Sequence, residues 1–254
     1  MRFPSLPTLA VLAGLAAASL AAPAGQASET LSEADRAMLH AEIRAYLLEN
    51  PEILREMVAL LEEEGKAASA EADRDLVAAH AAAIFDDGFS YVGGNPEGSV
   101  TVVEFLDYQC GFCRRAHPEL TRLIAEDGDI RWIVKEMPIL GPGSELAARA
   151  AIATLLAEGP EAYGTLHHRL MGLQGPIDDA VLDEELTAAG LDPAAIRAGM
   201  EAEEVTRRLA GTRALAESLA VSGTPTFVFG DQMVRGYLPL DQMQTLVAAL
   251  RESE

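Results

Sequence analysis

The chain of 254 residues has 40 acidic and 19 basic side chains, a formal net charge of −21, and 49% hydrophobic residues. This composition is that of a globular protein with one large domain or two small ones, which builds its core without needing disulfides. The negative charge argues against nucleic acid and anionic membranes as partners, because both attract positively charged surfaces.

The first 27 residues have the features of an export signal. Arg2 gives a positive start, and Leu9 to Leu20 form an apolar run within the length of secretory signals, about 7–15 residues. We predict that residues 1–27 are a signal peptide cleaved after Ala27. A membrane anchor is the alternative, although a span needs about 20 apolar residues. We therefore expect export into an oxidising compartment.

Residues 28–85 are predicted to form a helical N-terminal arm. Asn50-Pro51 is typical of a helix start, with Asn as N-cap and Pro in the first turn, and Gly65 is expected to end that helix. Apolar residues recur at helical spacing, at Leu39, Ile43, Leu47, Ile53, Leu54, Met57, Val58, Leu60 and Leu61. An arm this thin cannot bury these residues by itself. They pack either on the rest of the chain or, as we favour, on other subunits.

Residues 86–254 are predicted to form an α/β domain that begins with a loop at 86–96. Its predicted elements are strand 99–106, helix 113–125, strand 129–137, helices 144–156, 161–171, 178–189 and 192–220, strands 226–229 and 233–235, and helix 240–251. Parallel strands joined by a helix, followed by an antiparallel hairpin, give a mixed sheet with helices on its faces. The block at about 144–220 is interpreted as a helical insertion.

Two cysteines, Cys110 and Cys113, are separated by Gly-Phe. Closing so short a loop constrains the unfolded chain very little, whereas this spacing suits dithiol–disulfide exchange. Cys110 lies between a strand and a helix, whose positive end stabilises a thiolate. We predict that Cys110 is the exposed nucleophile and that Cys113, one turn inside, resolves the mixed disulfide.

Two alternatives remain open for this pair, a metal site and an inert staple of the helix start. Zinc usually needs four ligands, and there is no second cysteine pair. His117, four residues after Cys113, would complete a Cys2His site for Cu(I). We favour redox chemistry and predict no metal and no other cofactor.

Glu104 lies in an apolar strand that leads to Cys110, where a carboxylate must be paired or neutral. We predict that Glu104 lies beneath the dithiol and takes the proton of Cys113, with Lys135 of the neighbouring strand as its partner. The alternative is a carboxylate at a strand edge in solvent.

Thr224-Pro225 comes just before the apolar strand at 226–229. Proline cannot donate to a sheet, so it marks a strand start or a bend. A cis peptide bond there would place the backbone of Thr224 beside the dithiol, where it binds an extended substrate chain.

The sequence Glu-Phe-Leu-Asp-Tyr-Gln-Cys-Gly-Phe-Cys at 104–113, followed by Thr224-Pro225, resembles the DsbA-like branch of the thioredoxin superfamily from about residue 90 onwards. The resemblance implies a thioredoxin-like mixed sheet with a helical insertion. It places the nucleophile at Cys110, the resolving thiol at Cys113, the buried acid at Glu104 and a cis-proline at Pro225. Residues 46–54 resemble the N-terminal arm of ScsC proteins, suppressors of copper sensitivity, in which the arm oligomerises the catalytic domains.

The redox loop Gly111-Phe112 departs from the Pro-His of strong oxidases, which implies a less stabilised thiolate and a less oxidising couple. Thr224 before the proline also resembles disulfide isomerases. We therefore expect a periplasmic thiol-disulfide oxidoreductase, more an isomerase or reductase than a dedicated oxidase. Its expected partners are exported proteins with thiols or disulfides, a membrane thiol-redox protein, and further copies of itself through 28–85. A dedicated oxidase and a copper-binding protein remain the alternatives.

Overall fold

The computed structural model describes residues 31–253. The predicted signal peptide, residues 1–27, and its cleavage site lie outside this range. The chain divides into two compact units, one ending at Ala59 and the other beginning at Leu60. Within residues 31–253, no helix has the length and apolar character that crossing a membrane requires.

The N-terminal helices are α1 (Glu33–Glu49) and α2 (Pro51–Ala79). Asn50 lies between them, and its side-chain amide donates to the carbonyl of Tyr46 at 2.8 Å, so it binds back to the helix that it follows. The predicted helix end at Gly65 is wrong, because α2 continues to Ala79. A glycine inside an exposed helix costs only about 1 kcal/mol, which the helix formers around it offset.

The second unit contains the rest of α2 and a mixed α/β fold. Its elements are α3 (Ala81–Phe85), β1 (Tyr91–Gly94), β2 (Val100–Leu106), α4 (Gly111–Asp127), β3 (Ile130–Glu136), α5 (Pro142–Glu158), α6 (Pro160–Gly172), α7 (Asp179–Ala188), α8 (Pro193–Met200), α9 (Glu203–Ser218), β4 (Thr226–Phe229), β5 (Gln232–Arg235) and α10 (Leu240–Ser253). Five helices separate β3 from β4, which confirms the predicted helical insertion.

Two predicted elements are wrong. The predicted loop at 86–96 contains β1, which two glycines concealed because glycine is depleted in strands. The predicted helix at 192–220 is interrupted between α8 and α9, where Ala202 has extended backbone. Gly199 lies in the last turn of α8, and the Arg149 side chain donates to the Met200 carbonyl at 3.0 Å and satisfies the end of that helix.

The sheet has the order β1-β3-β2-β4-β5, with β2 in the centre as predicted. The β2–β3 pair is parallel, and the other three pairs are antiparallel. Side chains alternate along β2: Val102 and Leu106 face the larger core, whereas Val103 and Phe105 face a smaller one. Glu104 therefore faces the same side as the larger core, which also contains Cys113.

The smaller core joins residues 60–85 to the sheet. Val77 of α2 and Ile84 of α3 are buried in one cluster with Val103 and Phe105. The end of the predicted arm thus also closes one face of the α/β unit. The arm boundaries, 28–85, and the domain boundaries, 86–254, stay predictions.

Lys135 does not pair with Glu104, so that prediction is wrong. In the parallel ladder Lys135 lies opposite Phe105, whereas Glu104 lies opposite Val134. Because neighbouring positions on a strand face opposite sides of the sheet, the Lys135 and Glu104 side chains point away from each other.

Lys135 instead binds Asp87, in the turn before β1. The lysine side chain is 0% exposed, donates to the Ala83 carbonyl at 2.9 Å and forms a salt bridge with the Asp87 carboxylate. Burial alone would raise the pKa of Asp87, but hydrogen bonds from Lys135 and Ser90 lower it below its ordinary value. This ion pair connects the turn before β1 to strand β3.

Replacing Asp87 should destabilise the fold strongly, because Asp87→Asn leaves the buried ammonium group of Lys135 without its counter-charge. We expect a loss of about 3–5 kcal/mol in the free energy of unfolding, measured by urea denaturation at neutral pH. Since the folded-state pKa of Asp87 lies below 3.8, its contribution is present above that pH and is lost as the pH falls further.

The matched control is Glu126→Gln, which removes an exposed ion pair with Arg122. Such pairs contribute about 0–1 kcal/mol. An Asp87→Asn loss no larger than that of the control would contradict a stabilising role for the buried pair.

Candidate functional site

The two cysteines lie where the central strand meets the helix that follows it. Cys110 is the N-cap of α4 and has extended backbone, and its N–H donates to the Asp107 carbonyl at 3.0 Å. Cys113 lies within the first turn of α4. Cys110 is 6% exposed and Cys113 is 0% exposed, so the nucleophile is less exposed than predicted but remains the outer of the two.

The pKa of Cys110 is lowered to about 5. The main cause is the hydrogen bond from the Cys113 thiol; burial opposes it, and donors on Thr224 and the backbone N–H groups of Cys113 and Phe112 lower the pKa further. At neutral pH Cys110 is therefore a thiolate, which is the nucleophilic form.

The pKa of Cys113 is shifted in the opposite direction. Burial raises the pKa of Cys113 far above its ordinary value, and the hydrogen bond to Cys110 and the nearby charge of Glu104 raise it further. Cys113 therefore holds its proton until a base removes it. The structure divides the pair into one ionised and one protonated sulfur.

Glu104 is fully buried, which rules out the alternative of a carboxylate in solvent. Burial raises the pKa of Glu104 to about 8; the Trp132 indole N–H lowers it in part, and the Cys110 thiolate raises it. Within residues 31–253 neither Glu104 oxygen nor the indole nitrogen of Trp132 has a hydrogen-bond partner of full geometry. A carboxyl group with this pKa both accepts and releases protons near neutral pH.

The loop before β4 covers the nucleophile. The Thr224–Pro225 peptide bond is cis, and the thiol form of Cys110 donates to the Thr224 carbonyl at 3.1 Å. Thr226 Oγ1 donates to the Gly223 carbonyl at 2.8 Å within the same loop. The structure thus brings Thr224 into contact with Cys110 from 114 residues further along the chain.

The two residues between the cysteines behave differently from each other. Phe112 is 59% exposed, and Gly111 has open space where a side chain would lie. Their side chains give no donor to Cys110, as expected, and the expectation of a thiolate less stabilised than in strong oxidases stays a prediction. The donors come from Cys113, Thr224 and the backbone instead.

Asp107 is a functional residue that the sequence analysis missed. Its buried carboxylate accepts four hydrogen bonds, from Gln109 N at 2.7 Å, Ile139 N at 2.8 Å, Leu140 N at 3.0 Å and Ser144 Oγ at 2.7 Å. It thereby fixes the turn before Cys110 to the loop before α5. An aspartate that bonds two residues ahead in a turn was the available signal.

A buried polar cluster beside α4 was also missed. Tyr108 Oη bonds His167 Nδ1 at 2.9 Å, and His117 Nε2 bonds His168 Nδ1 at 2.8 Å. Tyr163 adds a bond to Glu136 at 2.5 Å. Among residues 31–253, no group of three or more His, Cys, Asp or Glu side chains is arranged to hold a metal ion.

The hydrogen bond between the two sulfurs is testable by titration. Cys113→Ala removes the donor and should move the pKa of Cys110 upwards from about 5, whereas Cys113→Ser retains a hydroxyl donor and should leave it close to the native value. Ultraviolet absorbance of the thiolate against pH measures both midpoints. Identical midpoints for Cys113→Ala and the native protein would show that Cys113 is not the main donor.

Two family models match parts of the chain. The family model of the DSBA-like thioredoxin domain matches residues 101–248, and that of the copper resistance protein ScsC N-terminal domain matches residues 35–68. A curated relative, the Na(+)/H(+) antiporter NhaA 1 of Salinispora arenicola, is 28% identical over 166 residues, 65% of this chain. The matched region is about a quarter of that antiporter's length.

Three solved structures have the same fold. A thioredoxin-like oxidoreductase from Silicibacter pomeroyi is 42% identical with a TM-score of 0.64, covering 67% of this chain and 97% of its own. The thiol-disulfide exchange protein alpha-DsbA2 from Wolbachia pipientis is 29% identical with a TM-score of 0.68, covering 72% and 98%. The catalytic domain of Proteus mirabilis ScsC is 26% identical with a TM-score of 0.64, covering 69% and 97%.

These matches confirm the predicted fold and the predicted resemblance of the N-terminal region to ScsC. The DSBA-like match alone extends over more than half of the 254 residues. The chain therefore belongs to the DsbA-like thioredoxin family and carries an ScsC N-terminal domain ahead of its thioredoxin domain.

Proposed function

We propose that the protein is a periplasmic thiol-disulfide oxidoreductase that exchanges disulfides with exported proteins as an isomerase or reductase. One observation carries the exchange chemistry: the pKa of Cys110 is lowered to about 5, whereas that of its neighbour Cys113 is raised. A thiolate beside a protonated thiol is the reduced form that thiol–disulfide exchange requires.

The reaction proceeds in two steps. The Cys110 thiolate attacks one sulfur of a substrate disulfide, and the other substrate sulfur leaves as a thiolate. Cys113 then gives its proton to Glu104 and attacks Cys110, so that the second substrate sulfur leaves and the protein disulfide forms. Two protein thiols are oxidised and one substrate disulfide is reduced; an isomerase is released before the second step by attack of another substrate thiol.

The loop over Cys110 provides the place for the substrate backbone. The Thr224 carbonyl lies 3.1 Å from the Cys110 sulfur, so a chain whose sulfur is joined to Cys110 passes beside it. The exposed ring of Phe112 offers an apolar contact at the opening. These features favour an extended or unfolded polypeptide over a compact small-molecule disulfide.

The N-terminal helices support isomerase activity through an oligomer. Their apolar side chains remain exposed in the described chain at Met38, Leu39, Ile43, Tyr46, Leu48, Leu54, Met57, Val58, Leu60 and Leu61. A helix gains stability in water when such a face is covered, and we infer that further copies of the same arm cover it. Several dithiols around one space would hold a misfolded substrate through repeated exchange.

A dedicated oxidase is the second candidate, and the pKa of Cys110 favours it. A strongly stabilised thiolate stabilises the reduced protein, which makes its disulfide more oxidising. In either case a membrane thiol-redox partner is needed, to reduce the disulfide of an isomerase or reductase or to oxidise the dithiol of an oxidase. Export through the predicted signal at 1–27 would bring the protein to the same compartment as that partner.

The roles of the two sulfurs predict different results for two single variants. Cys113→Ser should accumulate mixed disulfides with substrate, because nothing resolves them, and Cys110→Ser should form none. Non-reducing electrophoresis and mass spectrometry of the purified mature protein with a disulfide-bonded substrate measure the adducts. Full turnover by Cys113→Ser would contradict the assigned roles.

Isomerase activity should depend on the arm. In a glutathione buffer the mature protein should reactivate a substrate with scrambled disulfides, and deletion of residues 28–59, which stops at the boundary between the two units, should reduce that activity at least about tenfold through loss of multivalency. Light scattering should show several chains for the mature protein and one for the deletion variant.

The control is reduction of a small disulfide, which should stay unchanged in the deletion variant because it needs a single dithiol. Rapid oxidation of a reduced substrate with no reactivation of a scrambled one would identify an oxidase. A monomeric mature protein would contradict the oligomer.

A further inference from the structure

A group of buried polar atoms without partners lies behind the dithiol. Within the described residues, the two Glu104 oxygens, Trp132 Nε1, His117 Nδ1 and His167 Nε2 have no hydrogen-bond partner of full geometry. The rings are neighbours: the Trp132 centroid lies 6.3 Å from that of His117 and 5.2 Å from that of His167. Unpartnered polar atoms are rare in native cores, and a catalytic role or a buried water molecule is the usual explanation for them.

His117 connects this group to the protein surface. It lies one turn after Cys113 on the buried face of α4, and its Nε2 bonds Nδ1 of His168 at 2.8 Å. His168 is an exposed residue of α6, whereas His117 is 7% exposed. The pair therefore extends from solvent to the unpartnered Nδ1 of His117, whose ring lies beside Trp132, the residue whose indole N–H faces Glu104.

We propose that the His117–His168 pair carries protons between solvent and the buried Glu104, and thereby lets Cys113 lose and regain its proton during exchange. The inference rests on the proposed function and deepens it. The two histidines do not touch the sulfurs. They act through Glu104, by accepting and releasing the proton that it exchanges with Cys113, and are therefore positioning residues.

The Cys113 proton moves to the ionised form of Glu104, the minor form at pH 7 because the pKa of Glu104 is about 8, as the Cys113 sulfur forms its bond to Cys110 and the bond from Cys110 to the substrate breaks. Glu104 then returns to its ionised state by passing the proton towards His117 Nδ1, while His117 Nε2 passes a proton to His168 Nδ1 and the other nitrogen of His168 releases one to solvent. The substrate disulfide is reduced and the Cys110–Cys113 dithiol is oxidised, with no other redox reactant, and the leaving substrate thiolate takes up a proton from solvent.

Neutral imidazole suits this role, since one nitrogen accepts while the other donates. Burial, together with His168, lowers the pKa of His117 to about 4, so the ring is uncharged at neutral pH. His167 of α6 is the titratable side chain that lies against both rings, with its ring centroid 5.0 Å from that of His117 and 5.9 Å from that of His168.

A direct test separates the attack of Cys110 from the resolution by Cys113. The reduced mature protein is mixed in stopped flow with an aromatic disulfide; the first thiolate released reports formation of the mixed disulfide, and the second reports its resolution. His168→Gln keeps a polar side chain at this exposed position but cannot relay a proton. Because general acid–base groups contribute about 10²–10⁴-fold, we expect its second phase at pH 7 to slow at least about tenfold.

The matched control is His80→Gln, which removes the histidine before α3, a side chain that makes no cap hydrogen bond. The first phase and the pKa of Cys110 should be unchanged in both variants, and added imidazole should restore the second phase of His168→Gln alone. If His168 had only a structural role, added imidazole would not restore the second-phase rate of His168→Gln.

Equal second-phase rates in His168→Gln and the native protein would overturn the relay while leaving the oxidoreductase function intact. A native protein that releases neither thiolate would overturn both. If circular dichroism shows that His168→Gln is misfolded, the second phase of the native protein is measured in mixtures of H2O and D2O. A curved dependence on the deuterium fraction supports transfer of several protons, and a straight line overturns the relay.

Discussion

The hydrogen bond between the two sulfurs is the interaction on which the site depends. It is the main cause of the lowered pKa of Cys110, and it adds to the burial that raises the pKa of Cys113, so it separates the nucleophile from its protonated neighbour. The contact requires the start of α4 at the carboxyl end of β2, where backbone N–H groups also face the sulfur. Strand β2, helix α4 and the loop before β4 therefore meet around the two sulfurs.

Most of the architecture was predictable because it is local. The apolar run of β2, the Cys-Gly-Phe-Cys segment and the turn before β5 each carry their structure in a few neighbouring residues. Strand β1 and the interruption before α9 were not predictable, because each depends on distant contacts: β1 on pairing with β3, and the end of α8 on the side chain of Arg149.

The same distinction applies to the site. Cys110, Cys113, Glu104 and Thr224-Pro225 were found from spacing and residue type, and the structure brings them together. The sequence did not predict correctly which side chain faces Glu104. Facing side chains depend on the register between strands, and a shift of one residue moves a side chain to the other face of the sheet. The donors that stabilise Cys110 come largely from its own turn and from Thr224, which the identity of residues 111 and 112 does not reveal.

The carboxylate of Asp107 has a consequence for how this protein family can diversify. Two of its four bonds go to the backbone N–H groups of Ile139 and Leu140, whose side chains are exposed. Because backbone groups are shared by all residues except proline, the loop keeps its shape whatever side chains those two positions carry. Substitutions at positions 139 and 140 can therefore change the chemistry of this surface without moving the turn before Cys110, which the same aspartate also binds.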